Sequence, residues 1–170
     1  MFRREFFLIA GGAALAFAGY RASQAGTASE IDNVTTGSVE GQFEVSYTDE
    51  EWRSMLTEAQ YQVLRHEATE RPFSSPLNDE KRAGTFHCAG CDLPLYSSET
   101  KYDSGTGWPS FYEALPNAVG TKTDYALIFP RTEVHCRRCG GHLGHIFDDG
   151  PEPTGMRHCI NGVAMKFKAA

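Results

Sequence analysis

Two Cys-x-x-Cys turns, Cys88-Ala-Gly-Cys91 and Cys136-Arg-Arg-Cys139, constrain this chain more than any other feature, because together they ask two distant segments to meet. A two-residue spacer lets both thiolates of one tight turn span an edge of a tetrahedron, and a second turn supplies the opposite edge. Gly90 lies inside the first turn and Gly140 and Gly141 follow the second, where positive φ costs glycine little. Residues 92 to 135 separate the pairs, so one zinc held by Cys88, Cys91, Cys136 and Cys139 would clip one domain together and close a long loop. Two disulfides, or a catalytic dithiol beside a structural pair, would use the same four residues. Neither turn lies in a βαβ pattern, which counts against the dithiol. The fifth cysteine, Cys159, stands apart in Arg157-His158-Cys159-Ile160-Asn161.

A chain of 170 residues builds one domain of ordinary size. Its net charge of −6 and pI near 5.5 argue against a nucleic-acid partner, which needs a concentrated basic surface. The head resembles a twin-arginine export signal: Arg3-Arg4 precede the apolar run Phe6 to Tyr20, short and rich in Gly and Ala, and Ser23 and Ala25 suit cleavage after Ala25. The expectation is an exported, periplasmic protein with no stable membrane span after cleavage, or a membrane-anchored one if the head stays. A route that carries folded protein would let zinc load before the thiols meet an oxidising compartment.

Residues 1–25 are thus the signal, 26–44 a polar and acidic flexible linker, and 45–170 the working domain. Thr48 with Glu51 and Thr57 with Gln60 match the capping-box pattern. Trp52, Met55 and Leu56, then Tyr61, Val63 and Leu64, recur at near-helical spacing, which predicts two short helices. Beyond Arg71-Pro72-Phe73-Ser74-Ser75-Pro76 come short apolar runs between Gly, Pro and Asp: Leu93 to Tyr96, Tyr125 to Phe129, Thr132 to Cys136, His142 to Phe147 and Val163 to Phe167. The last alternates, with Val163, Met165 and Phe167 on one face. The body is therefore mainly antiparallel β behind a helical front, with Phe111, Tyr112, Phe129 and Phe147 in the core and Asp148 at a turn.

A lone cysteine is commonly a buried small hydrophobe, and Ile160 fits that reading of Cys159. Its other neighbours favour chemistry. Arg157 and His158 bring positive charge or donors close in sequence, and His142-Leu143-Gly144-His145 offers two imidazoles. Cations and donors favour the thiolate, which is the attacking species. The histidines would suit a metal too, but four cysteines already complete a tetrahedron.

Gly105-Thr106-Gly107-Trp108-Pro109-Ser110-Phe111, the run from His142 to Pro151, Pro153-Thr154-Gly155 and Arg157-His158-Cys159-Ile160-Asn161 resemble the signature blocks of the B-type methionine sulfoxide reductases, the peptide-methionine (R)-S-oxide reductases. Trp52, Glu70-Arg71-Pro72-Phe73 and Lys101-Tyr102-Asp103-Ser104 fit the same family, and the resemblance runs from about residue 46 to 168. It implies two antiparallel β-sheets, a structural zinc on the four cysteines, and Cys159 as the nucleophile that attacks the sulfoxide sulfur. By motif position His145 is the proton donor with His142 beside it, Asp149 and Arg157 orient the site and stabilise the thiolate, Asn161 is polar in the same pocket, and Trp108 receives the substrate's methyl group. An apolar wall opposite a polar corner distinguishes the faces of a chiral sulfur, which is how an R sulfoxide is chosen over an S one.

One departure matters. Many members carry a resolving cysteine at the position of Thr106, and this chain does not. The expected cycle ends with direct reduction of a Cys159 sulfenic acid by a thioredoxin-like or other thiol reductant. The expected job is repair of oxidised proteins or peptides under oxidative stress. Two rival readings are a zinc-clipped β module that only binds a protein partner, and a dithiol oxidoreductase using one Cys-x-x-Cys pair.

Overall fold

Helix starts come first among the described residues and are set locally. The structure, a computed structural model, describes residues 43–170; the signal at 1–25 and all but the last two residues of the 26–44 linker lie outside the described residues. At Thr48 the side chain accepts from the Glu51 amide while Glu51 reaches back to the Thr48 amide, and Thr57 and Gln60 repeat the exchange. These reciprocal caps open α1 (Asp49–Met55) and α2 (Glu58–His66). Trp52, Tyr61, Val63 and Leu64 are buried, whereas Met55 is exposed and Leu56, just past α1, turns inward instead. No helix among the described residues is long and apolar enough to cross a membrane.

Nine strands follow: β1 (Gly84–Cys88), β2 (Pro94–Ser97), β3 (Lys101–Tyr102), β4 (Ser110–Phe111), β5 (Val119–Asp124), β6 (Arg131–Cys136), β7 (His142–Phe147), β8 (Arg157–Ile160) and β9 (Met165–Ala169). They form two antiparallel sheets, one ordered β2-β1-β9 and one ordered β3-β4-β8-β7-β6-β5. The mainly β architecture with two sheets and a helical front is as expected. Aromatic packing joins the sheets: Tyr96 of β2 stacks on Phe111 of β4 at 4.4 Å, and Phe86 of β1 meets Phe111 edge-on at 5.0 Å. Leu95, Val134, Leu143 and Ile160 complete this interior.

Two apolar runs behave differently from their sequence expectation. Tyr125 to Phe129 is not a strand but the exposed β5–β6 connection, and Phe129 is outside the core. The cause is Asp124: its carboxylate accepts the Ala126 amide at 2.8 Å and pairs with Arg131 at 2.5 Å, closing the hairpin so that the apolar residues fall beyond its last rung. Val163 sits in a 3₁₀ turn, Gly162–Ala164, and the alternation begins only at Met165, with Met165 buried, Phe167 half-buried and Lys166 and Lys168 exposed.

Candidate active site

Each cysteine turn ends a strand, Cys88 closing β1 and Cys136 closing β6, and the two turns share one backbone pattern. The Cys88 amide donates to Leu93 O at 2.8 Å and the Asp92 amide to Cys88 O at 2.9 Å; the Cys136 amide donates to Gly141 O at 2.8 Å and the Gly140 amide to Cys136 O at 2.9 Å. The left-handed residue is the fourth after the leading cysteine in both, Asp92 (φ 61°) and Gly140 (φ 69°). Positive φ is therefore not what Gly90 supplies. A Cβ on Gly90 would stand 3.3 Å from the Trp52 ring, so its smallness lets α1 and α2 pack over the turn.

All four sulfurs lie within 4.8 Å of one another. Cys88 Sγ is 3.7 Å from Cys139 Sγ and Cys91 Sγ is 3.5 Å from Cys136 Sγ. Those spacings are too long for disulfides, whose S–S bond is about 2.05 Å. They match the edge of about 3.8 Å of a tetrahedron with metal–sulfur bonds near 2.3 Å. The four-cysteine cluster can hold a zinc ion, and the donor chemistry fits it.

The other group of predicted residues gathers on the face of the larger sheet turned away from the smaller one. In β8, His158 and Ile160 point inward and Arg157 and Cys159 outward. Paired residues share a face, and the register carries one row across all six strands: Lys122, Glu133, His145, Cys159, Ser110 and Tyr102. Cys159 is thus flanked by His145 on one side and Ser110 on the other. Gly144 permits this, because a Cβ there would stand 2.0 Å from Cys159 O and force β7 off β8.

Around the half-buried Cys159 sulfur, Thr106 Oγ1 lies at 4.0 Å and is linked through Ser104 (2.9 Å) to Ser110 (2.7 Å). Arg157 donates to both Asp149 oxygens at 2.8 Å, with its guanidinium 4.4 Å over the Phe147 ring. Burial pushes the Cys159 thiol up, while the Thr106 hydroxyl and the Arg157 charge pull it back down without cancelling that effect. His158 does not supply the positive charge its sequence position suggested. It lies on the inner face with Nδ1 3.1 Å from the Tyr96 hydroxyl, and burial lowers its pKa to about 4.

His145 Nε2 lies 2.8 Å from Asp124 Oδ2. The Ala126 amide, then His145 and Arg131, hold Asp124 well below the usual carboxylate range, so it is ionised and can only accept. Nε2 of His145 therefore carries a hydrogen, and burial depresses this imidazole's pKa although Asp124 works the other way. A neutral ring with Nδ1 free to accept a proton is the outcome at neutral pH. His142 is brought to the same side by an extra residue in β7, where Val134 pairs with Gly144 but His135 with His142. The two rings are 5.5 Å apart, edge to face. His142 Nδ1 is 3.0 Å from Glu133 Oε1, and both side chains are almost wholly buried. Glu133 also pairs with Lys122 at 3.0 Å; its burial alone would raise its pKa, but His142 and Lys122 together hold it low.

Asn161 is occupied: its amide donates to Leu143 O at 3.0 Å and its oxygen accepts from Glu70 N at 2.9 Å. Trp108 is half-buried, on the β4 side of Cys159, with its indole donating to Glu70 O at 3.1 Å. A hollow of about 120 Å³ adjoins it, lined by Phe73, Asn78, Lys101, Tyr102 and Gly107 among others. A larger one of about 410 Å³ lies by α2 and the second cysteine turn and reaches His142 and Lys122. Sequence reading missed Glu133, Asp124 and the hydroxyl chain. Glu133 had a signal, an acid inside the strand Arg131–Cys136 that leads into a cysteine turn; Asp124 had little, since of its partners only Ala126 is local and Arg131 and His145 come from β6 and β7.

The SelR domain matches residues 56–169. A Pseudomonas putida (strain W619) protein named peptide methionine sulfoxide reductase MsrB is 55% identical over 125 residues, 73% of this chain and 94% of that protein. The rice peptide methionine sulfoxide reductase B1, chloroplastic, is 52% identical over 127 residues, 74% of this chain and 59% of its own longer one. The peptide methionine sulfoxide reductase MsrB of Methanosarcina barkeri (strain Fusaro / DSM 804) is 52% identical over 125 residues, 73% of this chain and 88% of that protein. With a matched domain spanning well over half of its length and relatives this similar, the chain belongs to the SelR family.

Proposed function

We propose that this chain, a peptide methionine sulfoxide reductase by family, reduces the R epimer of methionine sulfoxide in proteins or peptides, with Cys159 as nucleophile. The observation that carries the reading is the register of Cys159 against His145. A thiol held up by burial needs an acceptor for its proton, and a neutral imidazole stands next to it in the row. Cys159 gives its proton to His145 and attacks the sulfoxide sulfur. The sulfur–oxygen bond breaks, the oxygen passes to Cys159, and the proton returns from His145 to that oxygen. Methionine leaves and Cys159 remains as a sulfenic acid, so the thiol is oxidised by two electrons and the sulfoxide reduced by two. His142, held by Glu133, backs the His145 ring, and Arg157 held by Asp149 stabilises the thiolate; Asn161 fixes β8 to β7 behind them. Trp108 receives the methyl group on the side of Cys159 away from His145, which selects the R configuration.

Cys88, Cys91, Cys136 and Cys139 would hold one zinc, which supplies structural cross-linking and no step of the reaction. Because Thr106 stands where a second thiol would have to be, the sulfenic acid is reduced directly by an external thiol, a thioredoxin-like protein or another exported reductant. We place the enzyme in the periplasm, on the strength of the Arg3-Arg4 head. The test is turnover of peptides carrying R or S methionine sulfoxide with a small dithiol. Reduction of R alone, lost in Cys159→Ser, with no intramolecular disulfide by mass spectrometry, is expected. Turnover of S, or activity that survives Cys159→Ser, would overturn the reading. Fractionation of cells tests location: the mature protein, zinc-loaded, is expected in the periplasm.

A further inference from the structure

The β5–β6 tip is an unusual surface among the described residues. Tyr125 is 77% exposed, Leu127 60%, Ile128 94% and Phe129 79%, four large apolar side chains within five consecutive residues. Single exposed apolar residues, such as Met55 or Phe73 here, need no explanation, but a contiguous cluster does. The tip is held at its base by the Asp124–Arg131 pair and the Ala126 amide. The same Asp124 carboxylate accepts from His145 Nε2, so one residue anchors both the apolar tip and the imidazole beside Cys159.

Resting on the reductase reading above, we propose that the Tyr125–Phe129 tip docks the polypeptide flanking an oxidised methionine, so that sulfoxides with apolar residues at a set distance along the chain are preferred over those with polar residues there. β5 lies three strands from β8 in the sheet order. At about 4.8 Å per strand Lys122, the β5 member of the Cys159 row, is roughly 14 Å from Cys159, and Tyr125 lies about 10 Å further along the strand. The tip therefore begins roughly 17 Å away, a span that about five residues of extended peptide cover at about 3.3 Å each. Trp108 lies on the opposite side of Cys159, so a peptide seated with its methionine there would cross β8, β7 and β6 and bring apolar side chains about five positions away onto the tip. Charge favours polypeptide over a lipid surface. The net charge is −6, and the cations nearest the tip are already paired, Arg131 with Asp124 and Lys122 with Glu67 and Glu133.

The experiment measures kcat and KM of the full chain for three sulfoxides: N-acetyl-methionine sulfoxide amide, a peptide with a Leu-Phe-Leu triplet centred about five residues from the sulfoxide, and its Ser-Gly-Ser counterpart. Wild type is compared with Ile128→Ser/Phe129→Ser and with the fourfold variant that adds Tyr125→Ser and Leu127→Ser. A KM about tenfold lower for the apolar peptide than for the polar one is expected in wild type, with both variants losing that advantage at unchanged kcat. Turnover of the small amide should be the same in all three proteins, and doubles as the check that the variants fold. An apolar preference that survives in the fourfold variant overturns the proposal. So does an equal loss on all three substrates. Tip-dependent co-sedimentation with phosphatidylcholine or phosphatidylglycerol vesicles without a KM effect would make lipid the occupant, and a wild-type dimer that dissolves in the variant would make it a second copy. Fluorescence anisotropy of the labelled apolar peptide keeps the tip test decidable apart from turnover: no reduction of any substrate with tip-dependent binding intact sinks the reductase reading alone.

Discussion

The two cysteine centres use the same side chain for opposite ends, and backbone context makes the difference. Cys88, Cys91, Cys136 and Cys139 sit on tight turns at strand ends, where duplicated hydrogen bonds aim four sulfurs at one point and α1 and α2 cover them. Cys159 sits mid-strand, paired on both sides, with its sulfur on an outward face beside hydroxyl, imidazole and guanidinium groups. Turns make a rigid cage. A strand face leaves a sulfur whose neighbours are set by register.

The sharpest way to break this contrast is to exchange the consequences. Cys136→Ser, or prolonged chelation, is expected to abolish the cooperative unfolding transition in circular dichroism, because a structural zinc contributes on the order of 10 kcal/mol, as much as a domain's whole stability. A stable, zinc-free Cys136→Ser protein with normal turnover would erase the distinction. Cys159→Ser should do the converse, lowering turnover by at least about a thousandfold while shifting stability by less than about 1 kcal/mol and leaving zinc content intact. Next in size is Arg157→Gln. Below its pKa the thiolate fraction of Cys159 rises about tenfold per pH unit, and loss of the cation that lowers that pKa moves the profile to higher pH. Alkylation by iodoacetamide at pH 7 should therefore slow by about three- to tenfold; an unmoved profile would leave Arg157 a purely structural pair with Asp149.

Thr106→Cys sharpens the comparison from another direction by placing a second thiol where Thr106 Oγ1 now lies 4.0 Å from Cys159 Sγ. After one turnover the variant should show an intramolecular disulfide by mass spectrometry, and wild type none. The smallest effect concerns His158. Its folded pKa near 4 is below the unfolded value of about 6.5, so the unfolded chain binds the extra proton between those values and stability falls as pH drops from 6.5 toward 4. The loss is at most about 1.4 kcal/mol per pH unit, and His158→Phe should flatten that part of the melting-temperature profile.

Much of this was legible in the chain because it is encoded locally. Both helix starts follow from Thr and Glu or Gln three residues apart, and the cysteine cluster from spacing alone. What was not legible depends on register. Tyr125 to Phe129 has a strand's composition, but whether such a run lies in a sheet or at a hairpin tip is decided by where the last rung forms, here by Asp124 reaching Arg131. His158 is adjacent to Cys159 in sequence and so reads as a cation beside it, but neighbours in a strand lie on opposite faces, and His158 faces Tyr96 instead. Glu133 enters the site only because two pairings align it with His145 and Cys159. Asn161 matched a polar position, and its bonds to Leu143 and Glu70 needed the fold to be seen.

The pairing of β1 with β9, Gly84 opposite Ala169 and Cys88 opposite Met165, sets the timing of folding during synthesis. β1 can make its hairpin with β2 at once, but its other edge waits for a strand that leaves the ribosome only after the whole larger sheet has been made. Until then that edge is open to any extended chain nearby. A released chain truncated before Met165 would therefore keep the larger sheet and the cysteine cluster yet expose an unpaired β1 edge, and is expected to join strands with its neighbours.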